Sequence, residues 1–198
     1  GSTTLAVHLV NLADGGTPAT ASAMNPQIRF GEDLMSRVSY AMDQDRGADE
    51  MTAAVRGALN ELVGRAAAEA GVERGDIYEA VIVGNPIMHH LVLGLNPEPL
   101  GTAPFALAVD GAVRTSARDL NLELAAGAET YLLPCIAGHV GADAAAMILS
   151  ETPFEREEVS LVVDLGPHAA LVSGNRGRLL AASSPPGPAL EGAPGSAG

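Results

Sequence analysis

Twice in this chain an apolar, β-branched run ends in a glycine turn and passes directly into a helical stretch. The first is YEAVIV (Tyr78 to Val83), followed by Gly84-Asn85 and a helix opening on Pro86 in PIMHHLVLGL. The second is YLLPCI (Tyr131 to Ile136), followed by Ala137-Gly138-His139-Val140-Gly141 and a helix from about Ala142 to Ser150. Proline suits the first turn of a helix, where its missing N–H has no partner to lose. Strand–turn–helix units in series restrict the chain to an α/β architecture, and they put their turns where ligands of such sheets gather, beyond the strand C-termini.

The flanking sequence completes the outline. Thr4 to Leu12 and Ala19 to Met24 read as two strands around an Asp14-Gly15-Gly16 turn. Helices are expected over Gly31 to Met42, with Leu34, Val38 and Ala41 on one face, and over Thr52 to Ala70, with Thr52 as N-cap and Gly71 as the stop. Asn96 to Thr130 reads as a loop-bearing insertion with a short helix near Ser116 to Leu120. Three strands then follow in series, Ser160 to Leu165, Ala169 to Ser173 and Leu179 to Ser183. The expected fold is a mixed sheet flanked by helices over residues 1–153, with a second lobe beginning in 154–198. That second lobe looks incomplete, because PPGPALEGAPGSAG after Ser184 is too poor in large apolar groups to finish a core.

Composition excludes several functions. Eleven Lys and Arg against 24 Asp and Glu give a net charge of −13, which repels nucleic-acid backbones over most of the surface. Aromatic residues are 3% of the chain and Trp is absent, so base-stacking platforms are missing and the core must be aliphatic. Cys135 is the one cysteine, so this chain alone builds neither a disulfide nor an iron–sulfur cluster, and a reducing cytoplasm is the expected setting. No run approaches the roughly 20 apolar residues of a membrane span.

Four ordered blocks carry a family resemblance: NPQIRFGEDLMSR (Asn25 to Arg37), GNPIMHHLVLGLNPEPLGTAPF (Gly84 to Phe105), LPCIAGHVGAD (Leu133 to Asp143) and NRGRLLAASSPPGPALEGA (Asn175 to Ala193). Together they resemble the C-terminal ATPase-like region of the reductive activators of corrinoid-dependent proteins. The resemblance implies the fold of the acetate and sugar kinase, chaperone ATPase and actin superfamily (ribonuclease H-like), two related lobes with ATP between them. It also implies an iron–sulfur domain elsewhere in the polypeptide, and a role for ATP in passing a low-potential electron to a cobalt(II) corrinoid on a partner protein. Expected ligands are therefore ATP and Mg²⁺, and the expected partner is a corrinoid protein, with a homodimer left open.

By that resemblance, Gly1, Ser2, Thr3 and Thr4 match the second half of a first phosphate loop, Asp-x-Gly-Thr-Thr-Thr. The second loop of the family reads like Asp-Ile-Gly-Thr-Asn-Gly-Glu, and here it is Asp164-Leu165-Gly166-Pro167-His168-Ala169-Ala170. Asp164 and Gly166 match, with Asp164 as the metal-side carboxylate. Gly84, Asn85 and Gly141 complete the expected nucleotide contacts, and Asp143, in the first turn of its helix, is the expected orienter of the attacking water.

The departures in the second loop have chemical consequences. Pro167 removes an N–H donor, Ala169 adds a Cβ where phosphate would approach, and Ala170 supplies no carboxylate; His168 adds a donor but is bulky and mostly neutral near pH 7. Losing two or three charge-assisted contacts of about 1.5–3 kcal/mol each turns a micromolar site into a negligible one. The alternative function is thus a docking module for a corrinoid protein with a degenerate nucleotide clamp. From the residues alone, Asp164-Leu165-Gly166 also fits a plain hairpin turn, Asp143 a helix cap, Gly84-Asn85 a pre-helix turn, and Gly1-Ser2 the scar of an expression tag. His89 and His90 point about 100° apart on a helix, which argues against a shared metal, and Cys135 reads as a buried small hydrophobe.

Overall fold

The computed structural model describes residues 1–165 and 169–184. The chain opens with β1 (Thr4–Leu9) and β2 (Ala19–Met24), paired antiparallel with Leu9 opposite Ala19. β1 stops at Leu9, short of the expected Leu12, because the side chain of Asn11 accepts from Ala13 N (2.9 Å) and that of Asp14 from Gly16 N (2.8 Å). Short polar side chains that bond nearby backbone in this way compete with the ladder.

A 3₁₀ turn over Pro26–Phe30 leads to α1 (Leu34–Asp43), which begins where the Asp33 side chain accepts from Ser36 N at 2.7 Å. α2 (Gly47–Ala70) is longer than expected. Asp49 and Glu50 in its first turn complement the helix dipole, and Gly47 lets the helix start against α1, where a Cβ would lie 2.6 Å from Tyr40 O. Thr52 is therefore interior to the helix, and its hydroxyl donates to Leu91 O (2.8 Å) instead of capping. Gly71 ends α2 as expected, at φ +70°.

β3 (Glu79–Ile82) and β5 (Glu129–Leu132) are parallel, joined by a crossover containing α3 (Pro86–Leu93), while β4 (Val113–Ser116) pairs antiparallel with β5. The order is β3-β5-β4, so the segment 96–130 is no insertion but supplies an edge strand. The short helix there is present as a 3₁₀ turn, Ala117–Leu120, with Ser116 at its cap. β5 ends at Leu132, earlier than Ile136. α4 (Ala142–Glu151) then leads to an antiparallel sheet of β6 (Ser160–Asp164), β7 (Ala169–Asn175) and β8 (Arg178–Ser184).

The protein is thus a mixed α/β structure, but among the described residues its strands form three separate sheets and not one. An aliphatic core joins the β1–β2 hairpin, α2 and the mixed sheet through Leu5, Ala21, Val55, Leu62, Leu120 and Leu132. A second cluster, with Leu34, Val38, Met51, Ile87, Leu91 and Leu100, packs α1, α2 and α3 together. A smaller one, Val140, Ala144 and Ala170, joins α4 to β7. No helix among the described residues is long and apolar enough to cross a membrane.

Candidate functional site

Two distant segments meet at the start of α4. The two strand–turn–helix units touch directly: Asp143 N donates to Gly84 O at 3.3 Å. Gly141 sits so close that a Cβ would lie 2.6 Å from both Gly84 O and Asn85 Cα. Its missing side chain is thus what lets the two turns abut. Asn85 caps α3 by accepting from Met88 N (3.0 Å), and Pro86 occupies the first turn as the sequence predicts.

Asp143 is half-buried, and its Oδ1 accepts from Ala144 N at 2.9 Å. Burial pushes its carboxyl pKa up from the ordinary value and the charge of Asp164 adds to this, while the Ala144 N–H draws it back. Asp164, at the end of β6, is thus within electrostatic reach of the Asp143 carboxylate. Ser2 is buried, whereas Thr3, Thr4 and Asp164 are exposed. Gly166, Pro167 and His168 lie outside the described residues, as does the expected Gly-Pro-Ala-Leu-Glu-Gly match within 187–192.

Ala170 stands opposite Asp164 in the β6–β7 ladder, and its side chain is buried against Val140 and Ala144. A longer residue at 170 would run over the first turn of α4. Ala169 is equally buried, at 6% exposure. Neither alanine faces open solvent, so both positions are packed and apolar.

Cys135 lies beside the same helix start. Burial pushes its thiol up to about 11, the Ala142 N–H opposes this, and the Asp143 charge adds to it. It stays protonated near neutral pH and inert, as its place in an apolar run suggests. The two histidines do not share a ligand site. His90 Nδ1 bonds Pro86 O (2.8 Å) and its Nε2 accepts from Ala108 N (3.0 Å), which fixes the neutral tautomer with the proton on Nδ1. His89 is buried, and burial lowers its pKa to about 4, with His90 adding to this and the Leu133 backbone opposing it. No group of His, Cys, Asp and Glu among the described residues has metal-centre geometry.

Behind Gly1 to Thr3 lies a buried polar cluster that reading the sequence did not single out. Arg37 is fully buried; its guanidinium donates to Ser2 O (2.7 Å) and Gly31 O (2.9 Å) and contacts Met88 Sδ (3.5 Å). Asn25, 1% exposed, donates from Nδ2 to Gly1 O (3.0 Å) and approaches Met88 Sδ (3.6 Å), and its backbone N donates to Thr3 O (2.8 Å). The signal was present: Arg37 falls inside the apolar stripe Leu34, Val38, Ala41, where a charge has no business unless it is bonded.

A family model described as the RACo middle region matches residues 1–153 of this chain. The corrinoid activation enzyme RamQ of Eubacterium limosum is 33% identical over 193 residues, which is 98% of this chain and 32% of that enzyme. A solved structure of a reductive activator for corrinoid, iron-sulfur protein superposes with a TM-score of 0.93 at 32% identity, over 97% of this chain and 31% of its own. The chain spans about a third of the length of these relatives.

Proposed function

The chain belongs to the RACo middle-region family, and from that premise we propose that it is the nucleotide-holding part of a reductive activator that acts on a corrinoid protein. In this reading residues 1–153 form an actin-like ATPase lobe and residues 154–198 begin a second. The observation that carries it is the contact of Gly84-Asn85 with Gly141 to Asp143 around one half-buried carboxylate that feels the charge of Asp164, with Gly1 to Thr3 tied to the same turn through Asn25, Arg37 and Met88.

The residues fit MgATP. A half-buried carboxylate, Asp143, that feels the charge of an exposed one, Asp164, matches the preference of Mg²⁺ for oxygen ligands with retained waters, and Asp164 would hold it. The backbone of Gly1 to Thr4 would offer N–H groups to phosphate oxygens, whereas the Asp143 and Ala144 N–H groups are already bonded to Gly84 O and Asp143 Oδ1. MgATP supplies a phosphoanhydride whose hydrolysis is strongly downhill. Asp143 orients water through the carboxylate oxygen not bonded to Ala144, and Gly84, Asn85 and Gly141 hold that carboxylate in place. An iron–sulfur cluster does not fit this chain: its one cysteine is buried and protonated. The electron donor in this reading therefore sits elsewhere in the polypeptide, and hydrolysis here changes the lobe angle to gate electron transfer to cobalt(II).

One observation favours the second reading, a docking module without turnover. The packed, apolar setting of Ala169 and Ala170 leaves those two positions of the clamp without polar groups. Cobalt(II) reduction on the corrinoid partner by the full-length protein, followed by absorbance with and without MgATP, separates the two. The nucleotide reading predicts reduction that stalls without ATP; reduction at the same rate either way supports docking alone.

A further inference from the structure

We infer that Arg37 is the positioning residue of the first phosphate-binding segment, acting from behind it through the main chain. The inference deepens the nucleotide reading above and rests on it. Three successive carbonyls at the start of the chain are taken up by two buried residues: Gly1 O by Asn25 Nδ2 (3.0 Å), Ser2 O by the Arg37 guanidinium (2.7 Å) and Thr3 O by Asn25 N (2.8 Å). In a planar trans peptide each carbonyl points opposite to the N–H of the following residue. Holding these carbonyls inward therefore turns the N–H groups of Ser2, Thr3 and Thr4 away from the cluster. Successive backbone amides presented on one side are what an anion site needs. The contacts go to backbone atoms, so they do not depend on which side chains occupy residues 1 to 3.

Arg37 also links this segment to the rest of the site. Its guanidinium and Asn25 Nδ2 both contact Met88 Sδ, and Met88 N is capped by Asn85, which packs on Gly141. One side chain on α1 thus fixes the first loop relative to the turn before α3 and the start of α4. The guanidinium remains a cation at neutral pH; burial lowers its pKa and the Asp33 charge opposes this. A neutral side chain would tie the backbone at lower desolvation cost. A buried cation directly behind a phosphate-binding loop adds attraction for the ligand that a purely structural tie does not need.

The test uses the full-length protein and its Arg37→Lys and Arg37→Met variants, with MgATP and adenosine as separate titrants and a thermal melt of each. Lysine keeps the charge and loses the fork; methionine keeps bulk and loses the charge. A positioning role predicts that Arg37→Lys weakens MgATP by about tenfold or more with adenosine affinity unchanged, and that Arg37→Met weakens it further. A role only in folding predicts a lowered melting temperature with unchanged MgATP affinity in the folded protein. That result, or equal weakening of MgATP and adenosine, overturns the inference. If the unsubstituted protein itself fails to bind MgATP, the nucleotide reading fails first and takes this inference with it.

Discussion

Replacing Gly141 by alanine is expected to cost about 2–3 kcal/mol of stability and to remove nucleotide binding with it. The added Cβ would stand 2.6 Å from Gly84 O and Asn85 Cα and 2.8 Å from Asp143 Oδ1. Two of those three atoms are backbone on a facing turn, so no rotamer change relieves the clash. The start of α4 must back away, which breaks the Asp143 N to Gly84 O bond and carries Asp143 out of the site. At this chain length the loss corresponds to a fall in melting temperature of roughly 5–10 °C. Gly57→Ala is the matched control: it lies inside α2 with nothing within 4 Å of the new Cβ. That change should be neutral or stabilise by up to about 1 kcal/mol. Equal melting temperatures for the two variants would contradict the packing assigned to Gly141.

Asp143→Asn is expected to do the reverse, keeping the fold and losing the chemistry. Asparagine retains the oxygen that accepts from Ala144 N, so the helix start is preserved. Folding raises the carboxyl pKa, so between the unfolded and folded pKa values the native state binds more protons than the unfolded one. Stability therefore falls as pH rises through that window. Removing the charge removes that cost, and at pH 7 the variant should melt at or above the parent temperature. ATP hydrolysis, by contrast, should drop by about 10²–10⁴-fold, the range for loss of a group that manages a reacting water. A variant that melts lower and hydrolyses normally would make Asp143 a helix cap and no more.

What the sequence made legible was local. The Asp14-Gly15-Gly16 turn, the Gly84-Asn85 turn with Pro86 behind it, the Gly71 stop and the start of α4 at Ala142 all follow from residues within one turn of the feature. The ends of β1 and β5 were overestimated because apolar content continues past the last ladder bond, and only the Asn11 and Asp14 side chains show where β1 must stop. β4 was missed because its four residues, Val-Arg-Thr-Ser, have no apolar run, and only pairing with β5 makes them a strand.

The site divides the same way. The strand-end turns at Gly84 and Gly141 were found from the architecture, since both follow apolar runs and precede helices. Their mutual contact was not predictable, because it depends on the crossover bringing β3 and β5 side by side. Arg37 was overlooked for a related reason. Its partners Ser2, Gly31 and Met88 lie up to 51 residues away in sequence, so no spacing pattern reports them.

The most direct test of the central claim is calorimetric titration of the full-length protein with MgATP, repeated with Asp164→Asn. Binding that releases heat and weakens by about tenfold or more when Asp164 loses its charge is the predicted result, since Asp164 is the carboxylate assigned to the metal. No measurable binding, or binding indifferent to the substitution, would contradict the account and leave the docking reading.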